Sequence, residues 1–135
     1  MDTRDITLDL VNRFIAARHD DNAAAIAELL SDDAVYSPPA SMEMGPYVGP
    51  AAIAAALTGG AHDRFIRSTI KRDVHTIVAD SDIGVVVMRT SLITVTGEPN
   101  VNDYAWIIRC RDGRIHKLDQ FLDTLNAARA MGRVP

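Results

Sequence analysis

Asp73 and His75 stand two residues apart in a run rich in Val, Ile and Thr, so on a strand they project to one face. A carboxylate beside an imidazole is the usual form of a general base, the carboxylate fixing the ring while its far nitrogen takes a proton. With Lys71 the same positions also make an ordinary solvated strand face, and both readings stand. Other reactive groups are sparse. His19 and His62 fall in turns and His116 follows a hairpin. No two histidines are spaced to share an ion and the single Cys110 supports none of them, so neither a metal nor a disulfide is expected. There is no Gly-rich phosphate loop and no nucleophile elbow, which removes the usual basis for nucleotide binding and serine hydrolysis. No cofactor is expected.

These residues must be positioned by two different kinds of element. Ile6, Leu10, Val11, Phe14, Ile15 and Ala17 form a helical stripe, with Asp9, Asn12, Arg13 and Arg18 expected on the water side. Asp21 or Asn22 can cap a second helix through Ala23, Ile26, Leu29 and Leu30, which Ser31-Asp32-Asp33 ends. Ala34-Val35-Tyr36 reads as a short strand stopped by Pro38-Pro39. Gly49-Pro50 opens a third helix over Ala51 to Leu57, and Gly59-Gly60 stop it. Strands are then expected over 70–79, 83–95, 101–111 and 115–122, with Asp112-Gly113 as the strongest hairpin signal, before a closing helix capped by Asp123. Helices first and strands after predict a single α+β domain over residues 1–135, with an antiparallel sheet packed on helices.

Alternation assigns faces. Asn102, Tyr104, Trp106 and Ile108 share one side of their strand against Asp103, Arg109 and Arg111, and Leu118, Gln120 and Leu122 oppose Lys117 and Asp119. In the 83–95 strand, Val85, Val87, Arg89, Ser91 and Ile93 alternate with Val86, Met88, Thr90 and Leu92, so both faces are mostly apolar and both are expected to be covered. A homodimer is the simplest cover for the outer one.

Composition narrows the function. The chain has 135 residues, 47% hydrophobic, with 14 Lys and Arg against 18 Asp and Glu for a net charge of −4. No basic run exists to follow phosphates, so a nucleic-acid partner is not expected. The first residues lack the pattern of a secretory leader and no apolar stretch is long enough to span a membrane, so a cytoplasmic protein without a membrane role is expected.

The order of elements, the phrase Tyr47-Val-Gly-Pro-Ala-Ala-Ile53 and above all the run from Ile107 through Asp112-Gly113 to Leu125 resemble the nuclear transport factor 2-like superfamily, SnoaL-like branch. The resemblance implies a cone-shaped fold, with N-terminal helices packed on a curved, mostly antiparallel sheet around a pocket, and usually a dimer. It includes ketosteroid isomerases, limonene epoxide hydrolases, polyketide cyclases, dehydratases and non-catalytic modules. By position Arg89 matches the epoxide hydrolase arginine and Tyr36 its tyrosine, but Ser91 and Gln120 replace its two aspartates and Pro38 its asparagine. The isomerase base falls on Ser37, its tyrosine on Phe14 and its second donor near Ala105 or Trp106. The cyclase aspartate falls on Gln120.

The pocket wall that the resemblance implies is Tyr36, Arg89, Ser91, Asn102, Tyr104, Trp106 and Gln120, as ligand-binding residues around a polarising Arg89. An inward arginine demands a partner, either an anionic or carbonyl ligand or a carboxylate such as Asp73 or Glu43. The expectation is a protein that takes a small hydrophobic, oxygen-bearing ligand. If it is an enzyme, it isomerises, dehydrates, cyclises or hydrolyses without a cofactor, with Arg89, Asp119, Asp73 and His75 as catalytic candidates. The alternative is a non-catalytic ligand-binding or dimerisation module.

Overall fold

A computed structural model of the chain describes residues 1–58 and 63–135. Gly59 and Gly60, expected to stop a helix, and His62 lie outside the described residues. Helix α1 (Thr3–His19) starts where the Asp2 carboxylate accepts the Asp5 amide at 2.8 Å. It buries Leu10, Val11, Phe14 and Ala17. Ile6, expected in that stripe, is more than a third exposed. Thr7 is buried instead, its hydroxyl donating to the Ser81 carbonyl at 2.8 Å.

Helix α2 (Ala23–Leu29) is capped by Asn22, whose side chain accepts the Ala25 amide. Strand β1 (Leu30–Ser37) begins directly after it, so Ser31 to Asp33 belong to a strand and do not merely close the helix. Pairing explains the difference: Leu30 lies opposite Ile115 in a parallel ladder, and Arg111 holds both oxygens of Asp33 at 2.8 Å. Strand β2 (Tyr47–Val48) pairs antiparallel with β1, and α3 (Pro50–Leu57) follows Gly49, whose φ of 90° suits glycine alone.

The second half is strands, as the Val, Ile and Thr pattern requires: β3 (Lys71–Asp80), β4 (Ile83–Ile93), β5 (Pro99–Arg111) and β6 (Arg114–Leu122). Asp112 and Gly113 both have positive φ in the β5–β6 hairpin, as an Asp-Gly turn demands. Helix α4 (Thr124–Ala130) closes the chain, capped by Asp123. The sheet runs β2-β1-β6-β5-β4-β3 and is antiparallel except for β1 beside β6. Its concave face packs on α1, α2 and α3 through Val86, Met88, Trp106, Ile108, Ile115 and Leu118, giving the helix-on-sheet cone that the family resemblance implies.

Gly84 shows how closely α1 sits on that face. A Cβ there would lie 2.6 Å from Cγ2 of Val11, a side chain with no exposed surface. Gly84→Ala is therefore expected to destabilise the fold by about 1–3 kcal/mol through overpacking, read by urea denaturation.

Candidate functional site

The mouth of the cone opens into a cavity of about 130 Å³. Its floor is aromatic. Trp106 is buried, with Phe14 edge-on and Tyr36 tilted against it, both at 5.6 Å between ring centres, and Tyr47 stacks on the far side of Tyr36. The walls are mostly apolar: Leu57, Ile70, Leu92 and the flexible side chains of Met42, Met44, Met88 and Met131.

Strand pairing decides which polar groups reach this space. Val86, Met88 and Thr90 lie opposite Trp106, Tyr104 and Asn102, and Trp106 lies opposite Gln120, so these residues share the concave face. Tyr36, Asn102, Tyr104, Trp106 and Gln120 therefore line the cavity. Their hydrogen bonds differ. The Tyr36 hydroxyl donates to Oε1 of Gln120 at 2.9 Å. Asn102 is engaged elsewhere: its amide donates to the Asp123 carbonyl at 3.0 Å while its Oδ1 accepts the Asp123 amide at 3.1 Å, which anchors the start of α4. Tyr104 makes no hydrogen bond to another described residue, so its hydroxyl is open to a ligand. Burial raises the phenols of Tyr36 and Tyr104 above their ordinary value, so at neutral pH both remain donors.

The same register carries Arg89 and Ser91 to the opposite, convex face, where they lie across from Asp103 and Val101. The placement in the pocket wall that the family resemblance implies is corrected here. Arg89 is exposed and clamps Asp103 with bonds of 2.8 and 3.1 Å, a pair that raises the guanidinium and lowers the carboxylate. Asp73 lies opposite Arg89 on that outer face. His75 sits at a bulge between Val74 and Thr76 and is exposed. Asp119 is paired with Lys117 at 3.6 Å, opposite Ile107. The four catalytic candidates thus share the convex side, outside the cavity. The bulge in the β5–β6 ladder falls at Arg109 and Cys110, too early to turn Asp119 inward.

Two cations that the sequence pattern did not place in the pocket are there instead. Arg18, expected to face water, bends from the last turn of α1 so that its guanidinium lies 5.3 Å from the Trp106 ring centre. Its Nε is buried without a hydrogen-bond partner. Arg72, at the start of β3 and opposite Thr90, lines the same cavity and reaches the Arg18 carbonyl with a long 3.5 Å bond. Burial, then the repulsion of Arg72, pushes Arg18 down to about 10, and burial lowers Arg72 as well. Asp21, the carboxylate whose field reaches both, is bound to Arg67. No carboxylate or imidazole belongs to the described lining. The signal was legible in part: Arg18 lies one residue beyond buried Ala17 and four beyond buried Phe14, at the edge of the helical stripe.

Reactive chemistry elsewhere is limited. Cys110 is buried and its thiol pushed up to about 11, which leaves it unreactive at neutral pH. Among the described residues no group of three His, Cys, Asp or Glu could hold a metal ion, and no helix is long and apolar enough to cross a membrane.

The chain belongs to the SnoaL-like domain family, whose family model matches residues 11–118. No curated protein sequence matches it. Among solved structures it is similar to Bal32a from a soil-derived mobile gene cassette (TM-score 0.82, 17% identity, 95% of this chain and 98% of that one). It is also similar to TerC co-crystallised with polyporic acid (TM-score 0.80, 16% identity, 94% and 98%). An LEH-like epoxide hydrolase from M. tuberculosis aligns with a TM-score of 0.73 at 18% identity over 96% of this chain and 92% of that one.

Burying Arg18 costs stability. Because its folded pKa lies below the ordinary arginine value, the unfolded chain holds that proton more tightly, and the penalty on folding is fully present below pH 10 and fades as pH rises above it. A buried unpaired donor costs about 1–3 kcal/mol, and the contact with Trp106 returns about 0.5–2 kcal/mol. Arg18→Met keeps the aliphatic stem on the ring without the charge. At pH 7 it is expected to stabilise the ligand-free protein by about 1 kcal/mol, a rise in Tm of roughly 3–5 °C in a thermal melt.

Proposed function

We propose that this protein is a small-molecule binder whose cavity takes an apolar molecule bearing an acceptor oxygen. The observation that carries the reading is the convergence of hydrogen-bond donors on an apolar space: Arg18, Arg72 and Tyr104, beside the Tyr36–Gln120 pair. Donors fixed at one end orient an oxygen, while methionine and leucine walls accept varied hydrocarbon shapes. The cavity matches, to order of magnitude, the roughly 150 Å³ that holds one benzene ring, at about 130 Å³. The co-crystallisation of TerC with polyporic acid is in keeping with a ligand role for this kind of cavity. A base-dependent isomerase or hydrolase draws less support, because the expected proton carriers Asp119, Asp73 and His75 are on the convex face.

Trp106, the sole tryptophan, forms the floor and reports occupancy. Ring compounds with one carbonyl or hydroxyl group are expected to give a saturable change in its fluorescence. Ala127→Phe, which fills the cavity from α4, is expected to weaken that binding by about tenfold or more. A panel without any saturable response would remove the reading.

We also infer that the convex face is covered by a second copy of the chain. Val78 and Phe121 are about half exposed there, beside Val85, Val87 and Ile107, with the Arg89–Asp103 pair on the same face. The patch would be self-complementary about a two-fold axis. Light scattering is expected to give the mass of a dimer for the native chain and of a folded monomer for Val87→Arg.

A further inference from the structure

Both cationic side chains of the cavity lack the partner that a half-buried guanidinium requires. Arg18 has a buried Nε with no acceptor, and neither Arg18 nor Arg72 forms an ion pair with a described carboxylate. Asp21 is already committed to Arg67. The two groups come from different elements, the end of α1 and the start of β3, and like charges brought together in an apolar wall repel. Such a pair is retained at a stability penalty unless an anion completes it.

The neighbouring polar groups select the same kind of anion. Tyr104 is a protonated donor, and the Oε1 acceptor of Gln120 is occupied by Tyr36. The end of the cavity therefore offers N–H and O–H groups and little to receive one. A ligand head that only accepts, is flat and carries a negative charge fits two guanidinium forks better than a neutral carbonyl does. The remaining lining is hydrocarbon and thioether around roughly one ring's volume.

We propose that Arg18 and Arg72 form an anion subsite and that the ligand class is a small cyclic carboxylate, its carboxylate against the two guanidinium groups and its ring among Met42, Met88 and Leu92. This rests on the reading of the cavity as a ligand site and names the class of ligand. The carboxylate supplies the acceptor that the Arg18 Nε lacks and offsets the repulsion between the two arginines.

The test is isothermal titration calorimetry on the full chain with matched pairs: benzoate and benzamide, phenylacetate and phenylacetamide, cyclohexanecarboxylate and its amide. The native protein is expected to bind each carboxylate about 10 to 100 times more tightly than its amide. In Arg18→Met and in Arg72→Gln each carboxylate should lose more affinity than its amide, so that the ratio collapses toward one, and Arg72→Lys should retain part of it. Near-UV circular dichroism confirms that each variant keeps its aromatic packing. If amides bind as tightly as carboxylates, or the ratio survives both substitutions, the anion subsite is overturned while the ligand cavity stands. If no member of any pair binds, the subsite is overturned and the ligand reading fails for molecules of this size.

Discussion

Trp106 is held where α1, β1, β4 and β6 meet β5, and its fixed orientation sets most of what the molecule presents. Phe14 meets it edge-on, Tyr36 lies tilted against it, and Val86 and Gln120 flank it on the neighbouring strands. Because paired residues of adjacent strands share a face, burying this one side chain commits Met88, Thr90, Asn102, Tyr104 and Gln120 to the concave side. The same commitment sends Arg89, Ser91, Asp103 and Asp119 to the convex side. The Arg18 guanidinium then lies over the ring at 5.3 Å, and a cation enters an otherwise apolar cone.

Two faces of one sheet therefore carry two kinds of electrostatics. On the convex side charges are paired in the open: Arg89 with Asp103, Lys117 with Asp119, Arg111 with Asp33. Exposed pairs of this kind add little to stability. On the concave side cations are half-buried and unpaired, beside phenols that burial keeps protonated. Field and donors there are built before any ligand arrives, which is the arrangement that recognises an oxyanion without reorganising.

Much of the architecture was legible in the residues. The caps Asn22 and Asp123, Pro50 after Gly49 and the Asp112-Gly113 turn each reflect local rules that tertiary packing did not overrule. Faces are legible wherever polarity alternates, as in β5 and β6, where Tyr104, Trp106 and Gln120 read as one inward face and line the cavity. In β4 both faces are apolar, so alternation has no sign there, and only the register against β5 fixes it. The family resemblance puts Arg89 inward, and that register puts it outward, across from Asp103. Arg18 was hidden for another reason: a long side chain at the edge of a helical stripe can turn inward, and its polarity alone points to water.

A crystal structure grown with one cyclic carboxylate in excess tests whether the cavity is an oxyanion-accepting ligand site built on Arg18, Arg72 and Trp106. The carboxylate is expected within hydrogen-bond distance of both guanidinium groups, with the ring against the methionine walls. A carboxylate bound on the convex face beside Arg89, or an Arg18 side chain turned out into solvent over a filled cavity, would contradict it.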